Sequence, residues 1–233
     1  MGTRKGTGIE YLMPWSVVVP VKALHRGKSR LMPAGDPWRE DLAIAFLSDV
    51  LAGLQAASRV SETLVVSDDP IVRAIAGDAG ARPIPEPAVP GINPAAAKGI
   101  RQTGTGLPVA VMVGDLPCLD AAAVAVVLAQ AEEFPRSFVC DAIGTGTTML
   151  MALDRADCMP RFGGRSRARH AAGGYVELGQ GAQQSGWLED SDAFRRARRD
   201  VDTVVDLWDA VRIGVGPATR ATLLQREEQI LKA

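Results

Sequence analysis

Two carboxylates and two cationic loops are the groups in this chain whose types and spacing suit chemistry on phosphates. Asp115 belongs to PVAVMVGDLPCLD, Pro108 to Asp120, and follows the apolar run Val109–Val113. An unbroken β-rich run predicts a strand buried on both faces of a parallel sheet. A carboxylate just past its carboxyl end lies where open α/β sheets bind ligands. No basic side chain in the segment neutralises Asp115. Two readings stand: a ligand for a hard cation, with magnesium the best fit, or the cap of a turn. The second carboxylate, Asp202, is expected at the end of a last strand, Phe194–Arg199, beside a capping-box pattern that starts at Thr203.

The first cationic loop carries Lys22, Arg26, Lys28 and Arg30 and follows the expected first strand, Ser16–Val21. Phosphates are commonly held after the first strand of an α/β sheet. The Walker A pattern GxxxxGK[ST] is absent, and a solvated charged loop is the competing reading. The second loop, Arg161–His170, is basic and contains glycine, and the turn Gly144–Thr148 is made of glycine and threonine. Glycine and small hydroxyl residues let backbone amides approach an anion closely, so the two stretches together suit a small-anion pocket. The turn also reads as a tight strand connection. Asn93 suits either a helix cap or the edge of a nucleobase, since its amide carries both donors and an acceptor.

These groups need elements to position them. Leu42, Ala43, Phe46, Leu47, Val50, Leu51 and Leu54 form a 3.6-residue stripe, which predicts a helix over Glu40–Ala57. Strands are expected at Glu62–Ser67, Ala81–Ile84, Ser137–Asp141 and Met149–Leu153, besides the central run. Asp69-Pro70 opens a helix as cap and first residue. Further helices are expected over Pro94–Gln102, Asp120–Glu132, Val204–Ile213 and from Pro217 to the end. Residues 1–13 read as a loose polar tail, and 14–233 as a single α/β domain.

The totals exclude several classes. A chain of 233 residues with 47% hydrophobic and 23% charged residues is ordinary for a globular protein. A net charge of −1 gives no general attraction to nucleic acid or membrane surfaces, and no apolar run reaches membrane-spanning length. Cys118, Cys140 and Cys158 show no paired metal spacing, and free thiols in a reducing cytoplasm are the expectation. The oligomeric state is not legible.

Taken together, VVVPVKxxxxxKSRL, GxNxAxxxG around Asn93, VxxGDLP, GTGTxxL, PRFGxxSxxRH and DVDTxxDL resemble one family. It is the guanylyltransferase family of deazaflavin (coenzyme F-420) biosynthesis, which acts on phosphoenolpyruvate or 2-phospho-L-lactate. The resemblance runs from Trp15 to Pro217. It implies a three-layer α/β/α, Rossmann-like nucleotidyltransferase with a mostly parallel central sheet, using GTP, a small phospho-acid and magnesium. Carried over residue by residue, Thr147, Gly163 and Ser166 match the phosphoenolpyruvate-binding positions. Asp115 and Asp202 match the metal carboxylates. Lys22, Lys28 and Arg30 would hold the triphosphate, Lys22 and Lys28 sharing with Asp115 the catalytic neutralisation of charge, and Asn93 would help read guanine. Two departures stand out: Val204 replaces the proline of DVDTP, and Gly179–Ala193 is a long insertion.

Three other readings compete. A nucleotidyltransferase for a sugar phosphate or molybdopterin shares GDLP but does not explain the GTGT and PRFGxxS loops. A nucleotide-sugar glycosyltransferase would carry Asp-x-Asp after the central strand, where this chain has Asp115-Leu116-Pro117. A non-catalytic nucleotide-binding regulator does not need carboxylates at both positions. Pyrophosphate release from GTP and magnesium with phosphoenolpyruvate or 2-phospholactate is the discriminating observation, and no release with either favours the regulator.

Overall fold

The first strand, β1 (Trp15–Pro20), is buried along its whole length, and in the computed structural model it lies near the middle of the sheet. The structure describes residues 13–24, 30, 31, 36, 38–179 and 192–232. The expected tail up to residue 12, Lys28 and the insertion over 180–191 fall outside them. The elements that follow are α1 (Trp38–Ala56), β2 (Val60–Val66), α2 (Pro70–Asp78), β3 (Arg82–Ile84), α3 (Ile92–Gln102), β4 (Val109–Met112), α4 (Ala121–Ala131) and β5 (Arg136–Cys140). Then come β6 (Thr147–Ala152), α5 (Ser166–Ala172), β7 (Val176–Glu177), α6 (Asp192–Arg198), α7 (Val204–Ile213) and α8 (Pro217–Lys232).

The strands form one sheet in the order β3-β2-β1-β4-β6-β5-β7. β3, β2, β1 and β4 pair in parallel, while β6 runs antiparallel to both β4 and β5. β4 is thus fully buried as its sequence predicts, but it is parallel to one neighbour only. Strand alternation supplies two cores. Val17, Val19, Ala110 and Met112 face α1 and α4, and Val18, Val109 and Val111 face α3. Helices therefore cover both faces, a three-layer α/β/α arrangement. No helix among the described residues is long and apolar enough to cross a membrane.

The chain beyond Ser191 differs from the expectation. Phe194–Arg199 is not a strand: Asp192–Arg198 is helical. Phe194 and Ala197 are buried at i, i+3 spacing, and Asp192 pairs with Arg195 at 2.6 Å and Arg196 at 2.5 Å. Such pairs suit a helix. The last strand in the described residues is the two-residue β7, so the insertion follows it rather than preceding a final strand. Asp202 accordingly lies between two helices, not at a strand end.

This C-terminal part is tied to the central turn at several points. Val201 N–H donates to the carbonyl of Asp115 (3.1 Å), and Gly216 N–H to that of Pro117 (2.8 Å). Arg196 donates to the carbonyls of Cys118, Gly214 and Ile213. Asp49, buried on α1, accepts the first amides of α8, from Ala218 and Thr219, at 2.9 Å each. It supplies the N-terminal cap that α8 needs. A Cβ on Gly216 would lie 2.3 Å from the Asp49 carboxyl carbon, so only glycine lets the chain pass there.

Candidate active site

The sheet order changes direction between β1 and β4: the chain moves outward to β2 and β3, then returns to place β4 on the other side of β1. That switch point, at the carboxyl edge, is where open α/β sheets leave a crevice. A cavity of about 670 Å³ opens there. Lys22 and Arg30 from the loop after β1, Asp115 after β4, and Asp202 all line it. Glu86, in the loop after β3, adds a third carboxylate, and Ile92 and Ala95 of α3 give it an apolar wall.

Local chemistry fixes these loops. Asp69 caps α2 by accepting from Ile71 and Val72, and its second oxygen accepts from Leu24 N–H at 3.0 Å. One carboxylate thereby caps a helix and anchors the cationic loop. Arg30 pairs with Asp202 at 2.6 Å across the cavity mouth. Thr203 caps α7 in a complete capping box with Asp206, and Arg199 holds Asp206 at 3.3 Å. Val204 in place of proline thus leaves the helix start intact.

Thr147, Gly163 and Ser166 do not line that cavity. They gather beside it through one histidine. Thr147 opens β6, and Val113 N–H, on the cavity wall, donates to the carbonyl of its neighbour Thr148 at 3.0 Å. Thr147 Oγ1 lies 2.9 Å from His170 Nδ1, and His170 Nε2 accepts from Arg161 N–H at 3.0 Å. Ser166 and His170 sit one turn apart on α5 and are both buried. Ser166 N–H donates to the carbonyl of Gly163 at 3.0 Å.

The intervening loop holds two left-handed residues, Gly163 with φ 106° and Arg165 with φ 59°. A non-glycine residue in that region is uncommon and tends to occur at ligand clamps. The turn before β6 winds around Asp141, which accepts from Thr145 N–H at 2.8 Å. Arg167 braces the same turn through the Gly144 carbonyl at 3.1 Å and is held in turn by Glu177 at 2.8 Å.

Asn93 takes a role that the sequence did not suggest. The cap position of α3 is Gly91, with no side-chain cap bond. The Asn93 amide instead bonds the backbone of Phe162 both ways, donating at 3.1 Å and accepting at 2.7 Å. It straps the second basic loop to α3, which leaves it neither a cap nor an uncommitted base-reading edge. His170 and Glu86 were missed as site residues. The only sequence signal for His170 was its place at the end of PRFGxxSxxRH.

Electrostatics separate the inert groups from the poised ones. Burial pushes the thiols of Cys118 and Cys158 up to about 12 and that of Cys140 to about 11, so none is a thiolate at neutral pH. Burial, helped by the charges of Arg169 and Arg161, lowers the pKa of His170 to about 4. Among the described residues no group of three or more His, Cys, Asp or Glu is placed to hold a metal ion. Asp115 and Asp202 therefore offer two protein carboxylates at most to a cation in the cavity.

The sheet order and the layers on both faces define a three-layer α/β/α protein with a charged cavity at its switch point. Solved structures share the fold. One is a putative nucleotide-diphospho-sugar transferase from Desulfovibrio desulfuricans G20, with TM-score 0.60 and 16% identity over 94% of this chain and 98% of that one. Another is a nucleotidyl transferase from Methanothermobacter thermautotroptrophicus, with TM-score 0.55 and 17% identity over 86% and 97%. Sequence relatives are far nearer. The phosphoenolpyruvate guanylyltransferase of Streptomyces avermitilis is 43% identical over 213 residues, covering 90% of this chain and 94% of that protein. That of Geodermatophilus obscurus is also 43% identical, over 215 residues with the same coverage. The family model described as "Guanylyl transferase CofC like" matches residues 15–173, and the chain belongs to that family.

Proposed function

We propose that the protein transfers the guanylyl group of GTP to phosphoenolpyruvate, or to its relative 2-phospho-L-lactate, in coenzyme F-420 biosynthesis. The observation that carries this reading is the cavity at the switch point, where Lys22, Arg30, Asp115 and Asp202 converge from three separate stretches of chain. Family membership supports the choice of nucleotide and acceptor.

In the reaction a phosphate oxygen of the acceptor bonds to the α-phosphorus of GTP. The bond from that phosphorus to the oxygen bridging toward the β-phosphorus breaks, and pyrophosphate leaves with its electron pair. The acceptor is already an anion, so no protein nucleophile is required, and alignment with charge neutralisation carries the catalysis. Lys22 and Arg30 hold the triphosphate, joined by Lys28 from outside the described residues. Asp115 and Asp202 fit a divalent cation, best magnesium, because that ion takes one or two carboxylates and fills its shell with water and phosphate. Held by these two carboxylates, the ion would supply neutralisation of phosphate charge and Lewis acidity. The Arg30–Asp202 pair at the mouth is solvent-exposed, and such pairs contribute little, so both groups exchange partners at small cost. Thr147, Gly163 and Ser166 receive the phospho-acid beside the cavity. Three buried free thiols fit a reducing, cytoplasmic setting.

The test is pyrophosphate release from GTP and magnesium with phosphoenolpyruvate, 2-phospholactate or 3-phosphoglycerate. Release with one of these, abolished by chelation and restored by magnesium, is the expected result. No release with any of them overturns the reading and favours a regulatory protein.

A further inference from the structure

His170 is a buried side chain that the reaction as described does not use, and its hydrogen bonds fix its chemical form. Arg161 N–H is a backbone donor whose hydrogen has one direction, and it points at Nε2, 3.0 Å away. Nε2 is therefore a lone pair, and a protonated Nε2 would set two hydrogens against each other. Phe138, Phe162 and Tyr175 surround the ring, with centroids at 5.9, 5.6 and 5.6 Å, so it cannot turn over without repacking them. The low pKa keeps the ring neutral at physiological pH. A neutral imidazole with Nε2 as acceptor carries its proton on Nδ1. That proton faces Thr147 Oγ1 at 2.9 Å. The hydroxyl consequently accepts from His170 and must direct its own hydrogen elsewhere.

We propose that His170 is a positioning residue for the acceptor: locked as the Nδ1–H tautomer, it turns the Thr147 hydroxyl into an obligate donor for an anionic oxygen of the phospho-acid. The same ring sets the rest of the acceptor wall. Through Arg161 N–H it holds the start of the loop that contains Gly163, and through α5 it shares a helical face with Ser166. The inference rests on the acceptor being placed at Thr147, Gly163 and Ser166. It adds why a hydroxyl that accepts from His170 has its own hydrogen left to donate to the phospho-acid.

The chain has two histidines, so nitrogen-15 correlation spectra of the ligand-free protein at neutral pH assign His170 by its loss in His170→Asn. A protonated Nδ1 with a pyridine-like Nε2 is expected; the opposite tautomer or an imidazolium overturns the proposal. In kinetics, His170→Phe fills the aromatic slot without a donor and should raise KM for phosphoenolpyruvate roughly tenfold, with KM for GTP unchanged. His170→Asn, whose amide nitrogen reaches the Nδ1 position, should recover most of that loss. Adding His170→Phe to Thr147→Val should raise the phosphoenolpyruvate KM by less than His170→Phe does alone, because part of its effect passes through Thr147. Lowered thermal stability with both constants unmoved, or equal changes in both, overturns the proposal and leaves His170 a packing residue. A wild-type protein without turnover overturns the functional reading beneath it, while the nitrogen spectra still decide the tautomer.

Discussion

On the parallel side of the sheet, Lys22 and Arg30 reach the cavity as exposed side chains from a loop, and the Arg30 side chain is 72% exposed. Across β4, where the strand direction reverses, Thr147, Ser166 and His170 are buried, and His170 bonds both the Thr147 hydroxyl and the Arg161 backbone N–H. On the proposed function, the first region would attract a large polyanion, since long cationic side chains reach and adjust. The second would hold a small one, since the Thr147–His170 pair is in place before a ligand arrives and little ordering cost remains. Asp115, just past the end of β4, stands on the cavity side of that boundary. One sheet edge thus combines an adaptable half with a preformed half, and β6, which starts at that edge because it is antiparallel, makes the second half possible.

Substitution of the cavity carboxylate should have the largest effect. Asp115→Asn should lower kcat by on the order of 10²-fold or more with the fold intact, as expected for a lost charge at the reacting phosphate. Near-normal turnover in a folded variant would return Asp115 to a turn cap. Breaking the preformed half alone comes next. Thr147→Val and Ser166→Ala should each raise the phospho-acid KM about ten- to a hundredfold, as for loss of a donor to a charged group. The GTP constant should stay nearly unchanged, and if it moves instead, these loops belong to the nucleotide.

The preformed half should also carry a pH signature. His170 is neutral in the folded protein down to about pH 4, whereas its ordinary pKa is 6.5. Between those values the unfolded chain binds the extra proton, so stability rises with pH across that window. It is complete above pH 6.5 and falls by roughly 3 kcal/mol as the pH drops toward 4. Thermal unfolding from pH 7 to pH 4 should show this slope, and a folded His170→Phe protein should lose that part of it.

Smaller effects test the loop that carries Asp202. Thr203→Ala removes the capping side chain and should cost about 1 kcal/mol in chemical denaturation. Val204→Pro should add about 0.5 kcal/mol, because Pro suits the first helical position and Thr203 before it is already extended, with φ −131° and ψ 167°. A large loss of stability in that variant would mean that the α7 start needs something other than its capping box.

Periodicity and caps made most elements legible. The α1 stripe, the Asp69-Pro70 helix start, the Thr203 box and the buried central run were all readable because local chemistry decides them. So was the gathering of Lys22, Arg30 and Asp115, since strand order alone brings loops after β1 and β4 to one crevice. FRRARR misled because its four arginines mask the i, i+3 spacing of Phe194 and Ala197, which only the partner surfaces reveal. β7 is two residues long and has no sequence signal. Asn93 and His170 were out of reach for a different reason. Their partners are a backbone 69 residues away and a hydroxyl 23 residues away, and no local pattern encodes either distance.

The carboxylate of Asp49 meets its donors 169 and 170 residues later in the chain. A ribosome makes this buried acid early and the amides that compensate it near the end. Contacts of such sequence separation form late because the loop between them must close first. Until Ala218 and Thr219 dock, an acid destined for burial lacks those two donors, and the Val201 and Gly216 bonds that brace the Asp115 turn also await residues far along the chain. The family model ends at residue 173, but a chain stopped there would lack all four donors. The cavity, whose lining includes Asp202, is therefore finished only after the segment beyond residue 201 has been made.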